Sequence, residues 1–458
     1  MEDKRYLKWY HKIGYGSGDI AGNVVYALLT HFVMFYLTSI IGMNIGIVGT
    51  LIAISKVFDG VTDVFFGSMI DKTKSKLGKA RPWMIYGYAG CAVSLAAIFM
   101  VPQSWGTTAQ YAYFFIAYNL LNAVFYTANN IAYSALTALI TKNGAERVQL
   151  GSIRFMFAYG TSMLIQAVTV GLVEAMGGGA AGWRNMAIIY AIIGLIINTI
   201  SGLSVKELPE EEADNSVVET ADVRYQEEKY TMGQAAKLLL ANKYYLLICG
   251  VYILAQIYSA MLGMGLYYMT YIMGNAELLG SFSVALNAPV IAGLLLTPIL
   301  VQKMGGMYKL NMIGYVIGTL GRGLVIVAAY MGNLPLMLLA TAVGAIGISP
   351  LQGDLNALIA ECSEYTFLSK NKRIDGTMYS CSSLGTKIGG GLGTAICGWM
   401  LAAAGFVEKA AVQPQGAMNM LQVLYLWMPM ILNFVILILL SKLKVEQTNA
   451  RLRAGRVA

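Results

Sequence analysis

Asp59 and Asp63 stand one helical turn apart inside an otherwise apolar stretch from Gly46 to Ile70, and Lys56 precedes them by another turn. On a helix this spacing puts all three side chains on one face. The stretch is long enough to cross a bilayer, where an ionisable group costs roughly 3 kcal/mol on insertion scales and persists mainly against a protein-lined or wet cavity. One lysine cannot neutralise two carboxylates, so the excess negative charge calls for a cation. Carboxylate oxygens could hold a sodium ion, with Asp59 and Asp63 as its metal ligands, or the pair could share a proton because like charges raise one pKa. The competing reading is a structural Lys56–Asp59 ion pair that locks two helices together.

The elements that must position this face are long and apolar. The 458-residue chain is 57% hydrophobic and only 12% charged, against roughly 25% charged in soluble domains. Apolar segments at about 13–38, 46–70, 82–102, 109–138, 152–176 and 184–204 form one set of six, and 245–272, 279–301, 309–330, 334–360, 376–404 and 416–441 form another. The expected fold class is therefore an all-α membrane protein with twelve transmembrane helices in two six-helix bundles. Its parts are an N-terminal bundle over 1–205, a charged linker over 206–243, a C-terminal bundle over 244–441 and a tail over 442–458. Fifty glycines suit close helix approach in a membrane.

The net charge of +8 is concentrated in alternate loops: Lys72 to Arg81, Lys142 and Arg147, Lys370 to Arg373, and the tail from Lys442 to Arg456. By the positive-inside rule these loops and both termini are cytoplasmic, in a multi-pass plasma (inner) membrane protein, and nucleic acid is not needed to explain the charge. Cys91, Cys249, Cys362, Cys381 and Cys397 show no CxxC spacing and read as small hydrophobes. The basic start leads straight into a full-length helix without a small-residue cleavage site, so no removable signal is expected. HExxH, GxSxG and P-loop signatures are absent and the two histidines offer little acid–base chemistry, so no enzyme and no cofactor is expected. Trp83, Trp105 and Trp183 at helix ends read as interface anchors.

The loop Gly67–Pro82 after the second segment has a degenerate echo at Pro298–Lys309 after the eighth, which supports two parallel halves. The first copy resembles the loop of major facilitator transporters in which an aspartate and basic residues latch the cytoplasmic gate, here Asp71, Lys79 and Arg81. Gly14 to Asp19 with Asn23, Phe35 to Thr38, Val57 to Asp63, Gly78 to Trp83, Asn129 to Leu136, Glu146-Arg147 with Arg154, Ala360 to Tyr365, Gly376 to Ser380 and Lys387 follow in order. Together they resemble the glycoside–pentoside–hexuronide:cation symporter family, to which the melibiose carrier belongs.

The resemblance implies import of a glycoside, pentoside or hexuronide by symport with sodium or protons, through alternating access, by a monomer in the bilayer. It implies cation coupling at Asp59 and Asp63 with support from Lys387 and Asn129. Asn23 and Asn129 stand where the melibiose carrier is expected to hold acidic sugar ligands, with Asp19 one turn earlier. At about 1.5 Å per residue, Asn23, Asp59 and Lys387 all fall near the bilayer midplane. Lys387 could swing against the acidic pair when it is empty. Sugar recognition needs hydroxyl partners and a flat apolar face, which Asp19, Asn23, Asn129 and the rings of Tyr26, Tyr133, Tyr267 and Tyr268 could offer. Arg154 or Arg322 could meet a uronate carboxylate, although Arg322 is expected first of all to pair with Asp354. Glu361 and Glu364, just before the basic run at 370–373, are expected in an ionic gate, and His31 reads as an interior hydrogen-bonded residue. The alternatives are an exporter or antiporter of the same fold, and a membrane sensor that transports nothing.

Overall fold

The computed structural model describes residues 5–141, 143–208, 237–370, 378, 382 and 385–457, without the side chains of Val61, Val64, Asp71, Ala145, Val148, Arg456 and Val457. All described secondary structure is helical. The helices are α1 (Trp9–Ile41), α2 (Ile45–Asp71), α3 (Arg81–Ile98), α4 (107–139), α5 (Gly144–Ala175) and α6 (Gly179–Ser204). The second series is α7 (Lys243–Tyr271), α8 (Leu278–Met304), α9 (Met307–Tyr330), α10 (Leu334–Lys370), α11 (385–403), α12 (415–442) and a further helix α13 (Val445–Val457). Among the described residues, nine spans are long and apolar enough to cross a membrane. The other three expected crossings are present as α3, as α4 and as the described part of α11.

The chain divides into two compact units, Met1–Gln226 with Val407–Ala411, and Glu227–Phe406 with Val412–Ala458. Most of the expected linker, together with Lys142, Lys372, Arg373 and Gly376–Thr377, lies outside the described residues. The tail is not loose: α13 packs on α10, and the Tyr244 and Thr448 hydroxyls are 2.7 Å apart.

Asparagines start several helices by accepting backbone N–H groups that no preceding turn can satisfy. Asn44 caps α2 at Gly46 and Ile47, Asn143 caps α5 at Glu146, and Asn242 caps α7 at Tyr244 and Tyr245. The outward face of α6 is apolar, with Ile189, Ile192, Ile196, Ile200 and Leu203 exposed at helical spacing. That is the pattern of a helix solvated by lipid rather than water.

In the second unit, α9 and α10 meet along small residues. A Cβ on Gly314 would stand 2.3 Å from the Gly347 carbonyl oxygen, and one on Gly321 would stand 2.7 Å from the Gly344 Cα. Any larger residue would force these helices apart.

Two sequence expectations change. Helix α10 continues ten residues past the expected end at 360, because Asn242 donates to the Cys362 carbonyl and to Thr366 and so packs the extension into the unit. Trp183 is buried and stacked on Phe99 at 6.1 Å, so it packs inside the bundle rather than anchoring at an interface.

Candidate functional site

Asp59 and Asp63 lie half-buried on α2. The facing helix α4 opens into a π-turn over Leu120–Tyr126, which rotates the residues after it. Through this turn the Thr127 hydroxyl donates to Asp59 Oδ1 at 2.6 Å and Lys56 Nζ donates to Asn122 Oδ1 at 3.3 Å. Asn119 likewise donates to the Ser55 hydroxyl at 2.9 Å. The acidic face is therefore lined by neutral oxygens. Among the described residues no three His, Cys, Asp or Glu side chains converge as a metal cluster, so a cation here would draw on Asp59 together with hydroxyl and amide oxygens, the donors that hard cations favour. Sequence reading missed Asn122 and Thr127, because neither stands out until the π-turn sets the register.

Asn129 is elsewhere. Its amide donates to the Met84 carbonyl at 2.8 Å and lies 3.4 Å from Asn198 Oδ1, which places it in the core against α3 and α6. Asn129, expected as a cation and sugar ligand, is thus bonded within the core and is not brought to Asp59 here. One residue is about 100° of helix rotation, and it is Asn130 that is exposed. Lys387 sits half-buried in the second unit, in the π-turn Gly385–Gly389 of α11.

A second cluster joins α1, α4 and α5 above a core that includes Tyr15, Met84, Leu136 and Leu150. Arg154 Nε donates to Asp19 Oδ2 at 2.7 Å, with both side chains partly exposed. The guanidinium lies 4.1 Å from the Tyr133 ring centre, and the Tyr133 hydroxyl is 3.0 Å from the same Asp19 oxygen. Tyr15 packs on Tyr133 at 4.7 Å and its hydroxyl reaches the Thr137 hydroxyl at 2.7 Å. Gly18 is needed here, since a Cβ would fall 2.8 Å from the Tyr133 ring. Tyr133 is thus a buried platform under Arg154, its ring face already occupied. Asn23 donates to the Asp19 carbonyl one turn back at 2.8 Å, and Tyr26, two turns after Asp19, is an exposed aromatic of the same helix.

The loops that repeat between the halves are held in one way. Glu207, just past α6, accepts the backbone N–H groups of Lys79, Ala80 and Arg81 at 2.7, 2.9 and 3.0 Å. Glu446, just past α12, accepts those of Met307 and Tyr308 at 3.1 and 2.8 Å. Each carboxylate caps the third helix of its unit, where the helix dipole favours negative charge. Gly78, at φ 108°, makes room for the first, since its Cβ would stand 2.3 Å from the Glu207 carboxyl carbon. The Arg81 side chain turns inward to the carbonyls of Gly202 and Leu77 at 2.9 and 3.3 Å.

Glu361 accepts from Asn449 at 2.7 Å and Glu364 pairs with Arg453 at 3.4 Å, so both acids hold α13. Glu146 ties the start of the chain to α5, accepting from Leu7 N, Tyr6 N and Thr141 and pairing with Lys12 at 3.2 Å. Burial would raise its carboxyl pKa, but these donors outweigh burial and hold it below the usual glutamate value.

Arg322 does not pair with Asp354. Its Nε and Nη2 donate to the Tyr258 hydroxyl at 3.0 and 2.7 Å, which leaves it buried beside a neutral partner. Tyr267 and Tyr268 are buried as well, against Phe406 and Tyr425, so neither offers a free ring. His31 lies in the α1 π-turn Leu28–Phe32.

Residues 14–447 match the family model described as MFS/sugar transport protein. The chain is 28% identical to the isoprimeverose transporter of Lactiplantibacillus pentosus, over 98% of this chain and 92% of that one. It is 26% identical to the glucuronide carrier protein homolog of Escherichia coli, over 90% and 88% of the two chains. A solved bacterial homologue of the human lysosomal transporter Spinster, inward-facing and unoccupied, shares the fold at a TM-score of 0.68 and 12% identity, covering 97% of this chain and 98% of that one. With its two helical units and a family match over nearly its whole length, the chain belongs to the MFS/sugar transport protein family, as a member of the glycoside–pentoside–hexuronide:cation symporters and not an enzyme.

Proposed function

We propose that this transporter imports a glycoside, pentoside or hexuronide together with sodium or protons, from a plasma membrane in which both termini face the cytoplasm. The observation that carries this reading is the pairing of Arg154 with Asp19 over Tyr133 in a membrane-embedded unit. A carboxylate beside a guanidinium offers an acceptor and a fork of donors to vicinal hydroxyls, and both groups stay partly exposed. Asp59, hydrogen-bonded by Thr127, supplies the cation-binding group on the neighbouring helix α2, with Asp63 one turn on. Binding of the cation at this face and of the sugar beside Arg154 would then favour each other, a reciprocal linkage within the first unit. The names of the relatives, an isoprimeverose transporter and a glucuronide carrier homolog, support the substrate class.

The test is uptake into proteoliposomes from a panel of labelled glycosides, pentosides and hexuronides under imposed sodium or proton gradients. The expected result is accumulation of one substrate class above equilibrium with one of the two gradients. Exclusive extrusion, or no flux with any sugar, would contradict the proposal.

A further inference from the structure

Asn311 of α9 and Asp354 of α10 lie three residues before Gly314 and seven residues after Gly347, a pair at which the two helices touch. Both are buried, at 2% and 5% exposure. Asn311 Nδ2 donates to Asp354 Oδ2 at 2.8 Å. The two remaining oxygens, Asp354 Oδ1 and Asn311 Oδ1, are also buried and have no hydrogen-bond partner.

Among the described residues no lysine or arginine forms an ion pair with Asp354. The charged group that bears on it is Glu446 of α13, itself acidic, and the other titratable neighbour is the Tyr315 phenol of α9. A buried carboxylate with one hydrogen bond and no cation paired to it is a costly arrangement. A carboxylic acid and a primary amide, by contrast, close a ring of two hydrogen bonds, amide N–H to one carboxyl oxygen and acid O–H to the amide oxygen. The first bond is present. The two unpartnered oxygens are the two ends of the second.

We propose that Asp354 is a proton-binding site of the second unit, a neutral acid whose Oδ1 carries a proton donated to Asn311 Oδ1. This site is distinct from the acidic face of α2, and it gives the second unit its own sensitivity to alkali whatever ion drives transport. If the folded protein keeps a proton that the unfolded chain releases at neutral pH, stability falls as pH rises.

The experiment is infrared difference spectroscopy of the purified protein at neutral pH, wild type against Asp354→Asn. The expected result is a protonated-carboxyl C=O band in the wild type, shifted in D2O and missing from the variant; spectra without that difference would overturn the proposal. Thermal melts add a second reading. Asp354→Asn preserves both ring bonds and should melt close to wild type, with a weaker decline toward alkaline pH, whereas Asp354→Leu strands the Asn311 amide and should melt several degrees lower. An Asp354→Asn protein as damaged as Asp354→Leu, or sodium stabilisation seen in wild type and lost in Asp354→Asn, would assign the two oxygens to an ionised carboxylate or a metal cation instead.

Discussion

The two units repeat their scaffold and differ in their charges. Each has a glutamate just past its sixth helix that caps its third, Glu207 in the first and Glu446 in the second. Each also has a buried or half-buried arginine. In the first unit Arg154 faces a carboxylate and both groups keep some exposure, whereas in the second Arg322 is sealed against the Tyr258 hydroxyl. An ion pair with exposed edges can exchange its partners for a ligand. A sealed arginine on a phenol cannot, and it reads as a tie between α7 and α9.

The contrast breaks first at Arg154. Arg154→Lys and Asp19→Asn should each reduce sugar uptake at least about tenfold, since lysine loses the planar fork and asparagine the charge, while melting temperature changes little. A large loss of stability with uptake per folded molecule intact would make this pair structural and erase the difference. Tyr258→Phe should do the reverse. It leaves a buried guanidinium without its acceptor, a cost of roughly 1–3 kcal/mol, read as a lower melting temperature with substrate affinity unchanged.

The caps test the common scaffold. Glu207→Gln should destabilise by about 1 kcal/mol, and Glu446→Gln by less, because the first carboxylate holds three backbone N–H groups and the second holds two. Equal effects in chemical melts would mean that the local cap is not what stabilises the loops. The smallest expected effect is at Glu146. Its pKa is lower in the folded state, so its contribution is present above the ordinary glutamate range and lost as pH falls through the folded value. Glu146→Gln should therefore flatten the acid limb of the stability profile below about pH 4, and an unchanged limb would remove Glu146 from the account.

Much of this was legible in residue patterns. Apolar length and the placement of basic loops foretold the helices, and the loop echo at Pro298–Lys309 foretold the repeat that Glu207 and Glu446 complete. Those two glutamates carried a faint signal, Val205-Lys206-Glu207 after α6 against Lys444-Val445-Glu446 after α12. Periodicity could not place Asn129, because a π-turn upstream in α4 shifts the register that a regular helix would keep. Nor could it pair Arg322, whose partner Tyr258 lies 64 residues away and looks like an ordinary aromatic. The extension of α10 past 360 was hidden because tertiary contacts with Asn242 and α13, not local propensity, sustain it.

The central claim is that the acidic face of α2 couples a cation to sugar movement. Its most direct test is sugar accumulation in proteoliposomes with the driving gradient imposed, comparing wild type with Asp59→Asn and Asp63→Asn. Both variants should fold and still exchange sugar at equilibrium while losing accumulation against a gradient; wild-type accumulation in both would contradict the account.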